Sequence, residues 1–136
     1  MRKVNIILVF NKEEDKILMC KRKKDPFKGK LNFVGGKVEP NEDELHAAYR
    51  ELEEETGITK DDITLTNLMN FEYKISGTEL EAYAGKLNKD VRLKEELNSL
   101  YWISKDEDFN NLDKFAGEGN ILNMLKQVEI FKDKLF

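Results

Sequence analysis

Four glutamates fall within five residues where the chain reads Arg50-Glu51-Leu52-Glu53-Glu54-Glu55-Thr56. At about 100° per residue of a helix, Glu51, Glu54 and Glu55 lie within an arc of about 100°, beside an apolar stripe of Leu45, Ala48 and Leu52. An acidic run on a helix is ordinarily a solvated face. This one sits in the C-terminal half, where the helix dipole is already negative and a lysine or arginine would stabilise by about 0.3 to 1 kcal/mol. Such a breach of a local stability rule points to a site, and the simplest compensation for three convergent carboxylates is a hard divalent cation, Mg²⁺ or Mn²⁺. Arg50, one turn before Glu54, forms either a plain intrahelical ion pair or an orienting contact to a ligand carboxylate. Gly35-Gly36 lets the backbone turn sharply or approach a phosphate closely. His46 lies on the same helix away from the three glutamates and reads as a surface residue.

The elements that must position these groups are legible around them. Asn41 as N-cap with Glu44 three residues on gives a capping-box pattern, and Gly57 can close the helix in a left-handed conformation, with Ile58 set to touch Leu52. The helix is expected from about Glu42 to Thr56. Upstream, Val4–Phe10 is an apolar, β-branched run, Asn11–Asp15 a polar turn and Lys16–Cys20 a second strand. Lys21–Lys30, with Pro26 and Gly29, is a basic loop that leads into a strand at Leu31–Val34. Strands are also expected over Ile63–Tyr73, Glu79–Leu87 and Leu100–Ile103. Asn120–Phe131 carries Ile121, Leu122, Leu125 and Val128 at helical spacing.

The whole chain bounds the function class. Its 136 residues make one domain, residues 1–136, without internal repeat or flexible linker. At 40% hydrophobic it can bury a core, and at 37% charged its surface is densely ionic. A net charge of -4 offers no positive field for duplex nucleic acid. The single cysteine, Cys20, cannot close an intramolecular disulfide, and Val4–Phe10 is too short for a membrane span or signal peptide. A soluble protein of a reducing cytoplasm is expected.

Gly36, five residues, Glu42, seven residues, then Arg50-Glu51-Leu52-Glu53-Glu54-Glu55-Thr56-Gly57-Ile58 resembles the signature box of the Nudix hydrolases, residues 36–58 here, with every fixed position filled. The resemblance implies an α/β (α+β) fold in which a mixed sheet lies between helices, an α/β/α sandwich. It implies that Glu51, Glu54 and Glu55 hold the metal, that Arg50 orients them, and that Gly36 and Glu42 brace the loop. It further implies hydrolysis of a nucleoside diphosphate linked to another moiety, with Glu51, Glu54 and Arg50 as the catalytic group and a small-molecule nucleotide as the partner. Phosphoryl transfer asks mainly for positioning and charge neutralisation, which carboxylates, metal and a basic loop supply.

Outside the box, Gly29–Glu39 resembles the corresponding stretch of the MutT-type branch, which removes oxidised purine nucleotides. By that resemblance Asn32 contributes to purine recognition, chemically apt because a carboxamide offers donor and acceptor to a base edge. Lys21 and Arg22, with Lys23, then meet the triphosphate, and Gly35, Gly36 and Lys37 line the substrate. A further acidic ligand or base is expected from Glu95 or Glu96, ahead of Tyr101-Trp102, and Trp102 is either core or a base-stacking ring. The leading expectation is Mg²⁺-dependent conversion of an oxidised purine nucleoside triphosphate, similar to 8-oxo-dGTP, to monophosphate and pyrophosphate, by a monomer or homodimer. The alternatives are an ADP-ribose or dinucleoside polyphosphate pyrophosphatase, a nucleotide sensor of the same fold that does not cleave, and a structural domain with an acidic helix.

Overall fold

A computed structural model describes residues 2–24, 27–73, 76–95, 97–116 and 120–136. The chain forms β1 (Arg2–Phe10), β2 (Lys16–Lys21), β3 (Leu31–Phe33), α1 (Glu44–Thr56), β4 (Thr66–Tyr73), β5 (Thr78–Lys86), β6 (Leu100–Ser104) and α2 (Asn120–Leu135). The six strands make one mixed sheet in the order β3-β2-β1-β5-β4, with β6 paired to β2. β1 and β5 run parallel over their whole lengths, and the other pairs are antiparallel.

β1, β2 and β5 are apolar on both faces because each face is covered. On the α1 side, Ile7, Val9, Leu18, Val34 and Tyr83 pack with Ala48, Leu52 and Ile58. On the α2 side, Leu8, Phe10, Ile17, Met19, Ala84 and Phe115 pack with Ile121, Met124 and Val128. This is the expected sheet between helices. The turn after β1 is shaped by Asn11, whose Oδ1 accepts the amides of Asp15 and Lys16 at 3.0 and 2.9 Å.

Residues 34–37 carry the chain from β3 back along β1, held by bridges Ile7↔Val34 and Val4↔Lys37. This return places the glycine pair against the middle of the sheet beneath α1. Two expectations need correction here. The helix begins at Glu44, not Glu42, and its cap is Asp43, whose carboxylate accepts the His46 amide at 3.0 Å. Asn41 is left-handed (φ 67°) in the turn that reverses the chain at Pro40, so it stands outside the helix. Glu44 consequently binds Lys3 and not the cap. Leu45, expected in the apolar stripe, is 41% exposed, and Ala47 takes its place inside. The C-terminal end is as expected: Gly57, at φ 80°, donates its amide to the Glu53 carbonyl at 2.9 Å. Ile63 precedes β4 and makes only a bridge to Leu87, while α2 continues past Phe131 to Leu135.

Candidate active site

Arg50 is the hub of the site. Its Nε and one terminal nitrogen donate to the two oxygens of Glu42 at 2.7 and 2.9 Å, a bidentate pair. The same terminal nitrogen reaches the Lys37 carbonyl at 3.0 Å, and the other donates to Glu51 at 3.0 Å and Glu54 at 3.2 Å. One side chain thus ties the loop after β3 to two turns of α1. Glu42 also accepts the Glu39 amide, and its carboxyl is pulled down to about 2, first by the Arg50 hydrogen bond. Glu42 therefore acts as a permanent anion that anchors Arg50.

The other carboxylates are less well compensated. Glu51 is half-buried, and burial raises its pKa against the opposing pull of Arg50. Its carboxylate lies on Gly36 so closely that a Cβ there would stand 2.2 Å from Oε2. Glu55 is 8% exposed and accepts the Gly35 amide at 2.8 Å. Burial pushes it up to about 7; Glu51 adds to the rise, while Gly35, Asn98 and Arg22 oppose it. Glu54 is exposed and forms an ion pair with Arg50 at 3.2 Å. The last turn of α1 contains no basic residue.

These donors fit a hard divalent cation: they are oxygens, partly desolvated, and they repel one another. Among the described residues no three acidic, His or Cys side chains converge closely enough to surround one ion. One Glu51 oxygen accepts from Arg50 and one Glu55 oxygen from Gly35. An incoming cation would compete for those oxygens.

The remaining expected residues divide. Asn32 pairs with Cys20 across β2 and β3, on the sheet face toward α1, where its Oδ1 accepts the Phe33 amide at 2.8 Å. Arg22 shares the electrostatic surroundings of Glu55 and Cys20. Lys21, one residue earlier, belongs to the opposite face, in a shallow cavity of about 550 Å³ with Leu31, Tyr101, Ile103 and Lys114. The structure thus separates Lys21 from Arg22, because neighbours on a strand point to opposite sides. Lys37 contributes its carbonyl, and its exposed side chain lines an open cleft with Arg2 and Lys3. Glu95 accepts the Leu100 amide at 3.3 Å, and Glu96 lies outside the described residues. Trp102 packs against the α1-side core, and His46 is on the surface. Cys20 is buried with its thiol pushed up to about 11, so it is no nucleophile.

Two residues outside the expected set belong here. Asn98, in the loop before β6, helps to hold the Glu55 carboxyl down against burial. Asn5 grips Gly36, and the sequence hint was its polarity inside the apolar run Val4–Phe10.

A mixed sheet between two helices, with a glycine–glutamate–arginine–glutamate array at the mouth of one of them, is the architecture of a Nudix domain. The NUDIX domain family model matches residues 1–118, and the chain belongs to that family. An ADP-ribose pyrophosphatase of Methanocaldococcus jannaschii is 48% identical over 46 residues, 34% of this chain and 27% of that protein. An 8-oxo-dGTP diphosphatase of Escherichia coli is 35% identical over 75 residues, 54% of this chain and 58% of that protein. The match therefore spans less than two thirds of either relative. In fold, the chain resembles the crystal structure of a C. elegans Ap4A hydrolase binary complex at TM-score 0.75 and 20% identity, covering 97% of this chain and 99% of that one. Nudix hydrolases generally work with a divalent metal. No helix among the described residues is long and apolar enough to cross a membrane.

Proposed function

We propose that this protein is a Mg²⁺- or Mn²⁺-dependent nucleoside triphosphate pyrophosphohydrolase that releases a nucleoside monophosphate and pyrophosphate and favours oxidised purine triphosphates similar to 8-oxo-dGTP. The observation that carries the reading is the Arg50 hub, which holds Glu51 and Glu54 together beside the Gly35-Gly36 turn while Glu55 stands buried on the same turn. Glu51, Glu54 and Glu55 would hold the metal. The metal, when bound, neutralises the diphosphate and lowers the pKa of water for attack on phosphorus. Arg50 keeps two of the carboxylates facing the same side, with Glu42 as its fixed counter-charge. The backbone at Gly35 and Gly36 leaves room for a phosphate, and Arg22 adds a positive charge on that side of the sheet. Asn32, on the same face, offers its carboxamide to a purine edge, which agrees with the similarity to the E. coli diphosphatase.

The test is a panel of 8-oxo-dGTP, dGTP, dCTP, ADP-ribose and diadenosine tetraphosphate, each with and without Mg²⁺. The expected outcome is metal-dependent turnover, highest kcat/KM for 8-oxo-dGTP, and pyrophosphate as product. Preferred turnover of ADP-ribose or the dinucleotide would overturn the substrate and keep the chemistry. Binding without any cleavage would replace the enzyme by a sensor.

A further inference from the structure

Asn5 is buried in β1, 2% exposed, and its two ends have different surroundings. Its Oδ1 accepts the Gly36 amide at 2.9 Å, and its own backbone amide donates to the Gly36 carbonyl at 2.8 Å. Asn5 therefore holds both polar groups of the residue on which the Glu51 carboxylate lies. The fit is closed from the other side too, since a Cβ on Gly35 would stand 2.1 Å from the Asn5 carbonyl oxygen.

The Nδ2 of Asn5, by contrast, is buried without a partner among the described residues, and so is Oε1 of Glu81, 1% exposed. The two residues are register partners on parallel β1 and β5. Alternation puts both on the α1 face, because Ile7 and Tyr83, two residues further along each strand, pack in the α1-side core. An amide donor and a carboxyl acceptor left over at one register position, on one face, make no direct bond but complement each other in chemistry, as a single trapped water could join them. Beyond Glu81 the contacts continue to Glu44 and, at 2.5 Å, to Lys3. None of these residues lies in a position fixed by the box.

We propose that Asn5, supported by Glu81, is a positioning residue for Glu51: it fixes the Gly36 peptide and so sets where that carboxylate stands when a divalent cation binds. The inference rests on the reading of Glu51 as a metal ligand. Asn5 touches neither metal nor substrate in this account. Its effect on Glu51 passes through the Gly36 peptide.

The experiment measures Mn²⁺ affinity from the free-ion signal in electron paramagnetic resonance, together with kcat and KM for the best panel nucleotide and thermal melts. It compares wild type, Asn5→Leu, Asn5→Asp and the swap Asn5→Asp/Glu81→Gln. Leucine keeps the volume and removes the acceptor, so Asn5→Leu should weaken Mn²⁺ binding about tenfold and lower kcat with KM nearly constant. Asn5→Asp keeps the acceptor for Gly36 but opposes two buried carboxyls, and should be impaired. The swap restores one amide and one carboxyl across the pair, and its Mn²⁺ affinity should return to within about threefold of wild type. Should Asn5→Leu fail to fold, the rescue by the swap still decides. Asn5→Leu binding Mn²⁺ as wild type does, or a swap no better than Asn5→Asp, overturns the positioning role while the metal site stands. A wild type showing neither Mn²⁺ binding nor turnover overturns the metal reading and this inference with it.

Discussion

Helix α1 gathers carboxylates at both of its ends, and only one gathering is electrically closed. At the N-terminal end Glu44 lies beside Lys3 and the buried Glu81, in the favourable field of the helix dipole. Glu44 is held below its usual range, first by the hydrogen bond from Glu81, and burial lifts Glu81 to about 7. At the C-terminal end the dipole is adverse and Arg50 is spread over Glu42, Glu51 and Glu54. Glu55 accepts the Gly35 amide, and burial raises it to about 7, as far as it raises Glu81, with Gly35, Asn98 and the Arg22 charge opposing the rise. The first cluster sets one lysine against Glu44, with Glu81 raised by burial, whereas in the second one arginine faces Glu42, Glu51 and Glu54 even with Glu55 raised just as far. Acidic residues alone do not distinguish a site; the uncompensated remainder does.

The most direct way to break that contrast is Glu54→Gln. Glu54 is exposed and its ion pair is with Arg50, so the fold should be unaffected while turnover falls about 10²-fold or more, as for lost metal ligands. Retention of a near wild-type rate at saturating Mg²⁺ would reduce the open end to a solvated face.

The adjacent glycines sharpen it next. At Gly35 a methyl group would meet the Asn5 backbone carbonyl at 2.1 Å with φ at 153°, and no side chain can yield there. Gly35→Ala should destabilise by about 2 kcal/mol or more. At Gly36 the nearest atoms to the methyl would be the carboxylate end of Glu51, which can move. Gly36→Ala should melt close to wild type yet lose about tenfold in kcat. If both variants lose stability and activity in proportion, Gly36 is a packing residue and Glu51 is not set by it.

Much of this was legible along the chain. The strands and the Gly57 stop follow from apolar runs and from the backbone freedom of glycine, and the box residues from their spacing. What was missed depended on distance in sequence or on a choice between near equals. Asn41 and Asp43 are both capable caps, and the turn at Pro40 that puts Asn41 at positive φ decides between them. Leu45 looked buried on a wheel, but the sheet meets the helix one residue further round, at Ala48 and Ala47. The pairing of Asn5 with Glu81 requires the parallel β1–β5 register, which no local pattern announces. Lys21 and Arg22 read as one basic patch until strand alternation divided them.

A smaller effect tests the base-recognising role of Asn32 on the same face as the open end. Asn32→Ala should lower kcat/KM for 8-oxo-dGTP about fivefold more than for dCTP, because a lost base-edge hydrogen bond is worth about 1 kcal/mol and upward. Metal and phosphate contacts are common to both substrates. Equal losses would mean that Asn32 serves only the Phe33 amide it already binds.

The smallest expected effect lies at the closed end and concerns stability. Burial, and after it the hydrogen bond with Glu44, raise Glu81 from the usual 4.5 to about 7. The folded chain then keeps a proton that the unfolded chain releases, so the contribution of Glu81 to stability declines as pH rises from about 4.5 to about 7 and levels off above. Glu44, lowered, acts in the opposite sense and below that window. Glu81→Gln has the same shape, remains neutral and can still donate to Glu44, so its melting temperature relative to wild type should climb across the window. Glu55 titrates in the same range without metal, but it is present in both proteins and cancels in the difference. A difference that stays flat from about pH 4 to about pH 8 would show Glu81 ionising as an ordinary glutamate. The N-terminal cluster would then hold two charges against one lysine, and the two ends of α1 would differ in degree and not in kind.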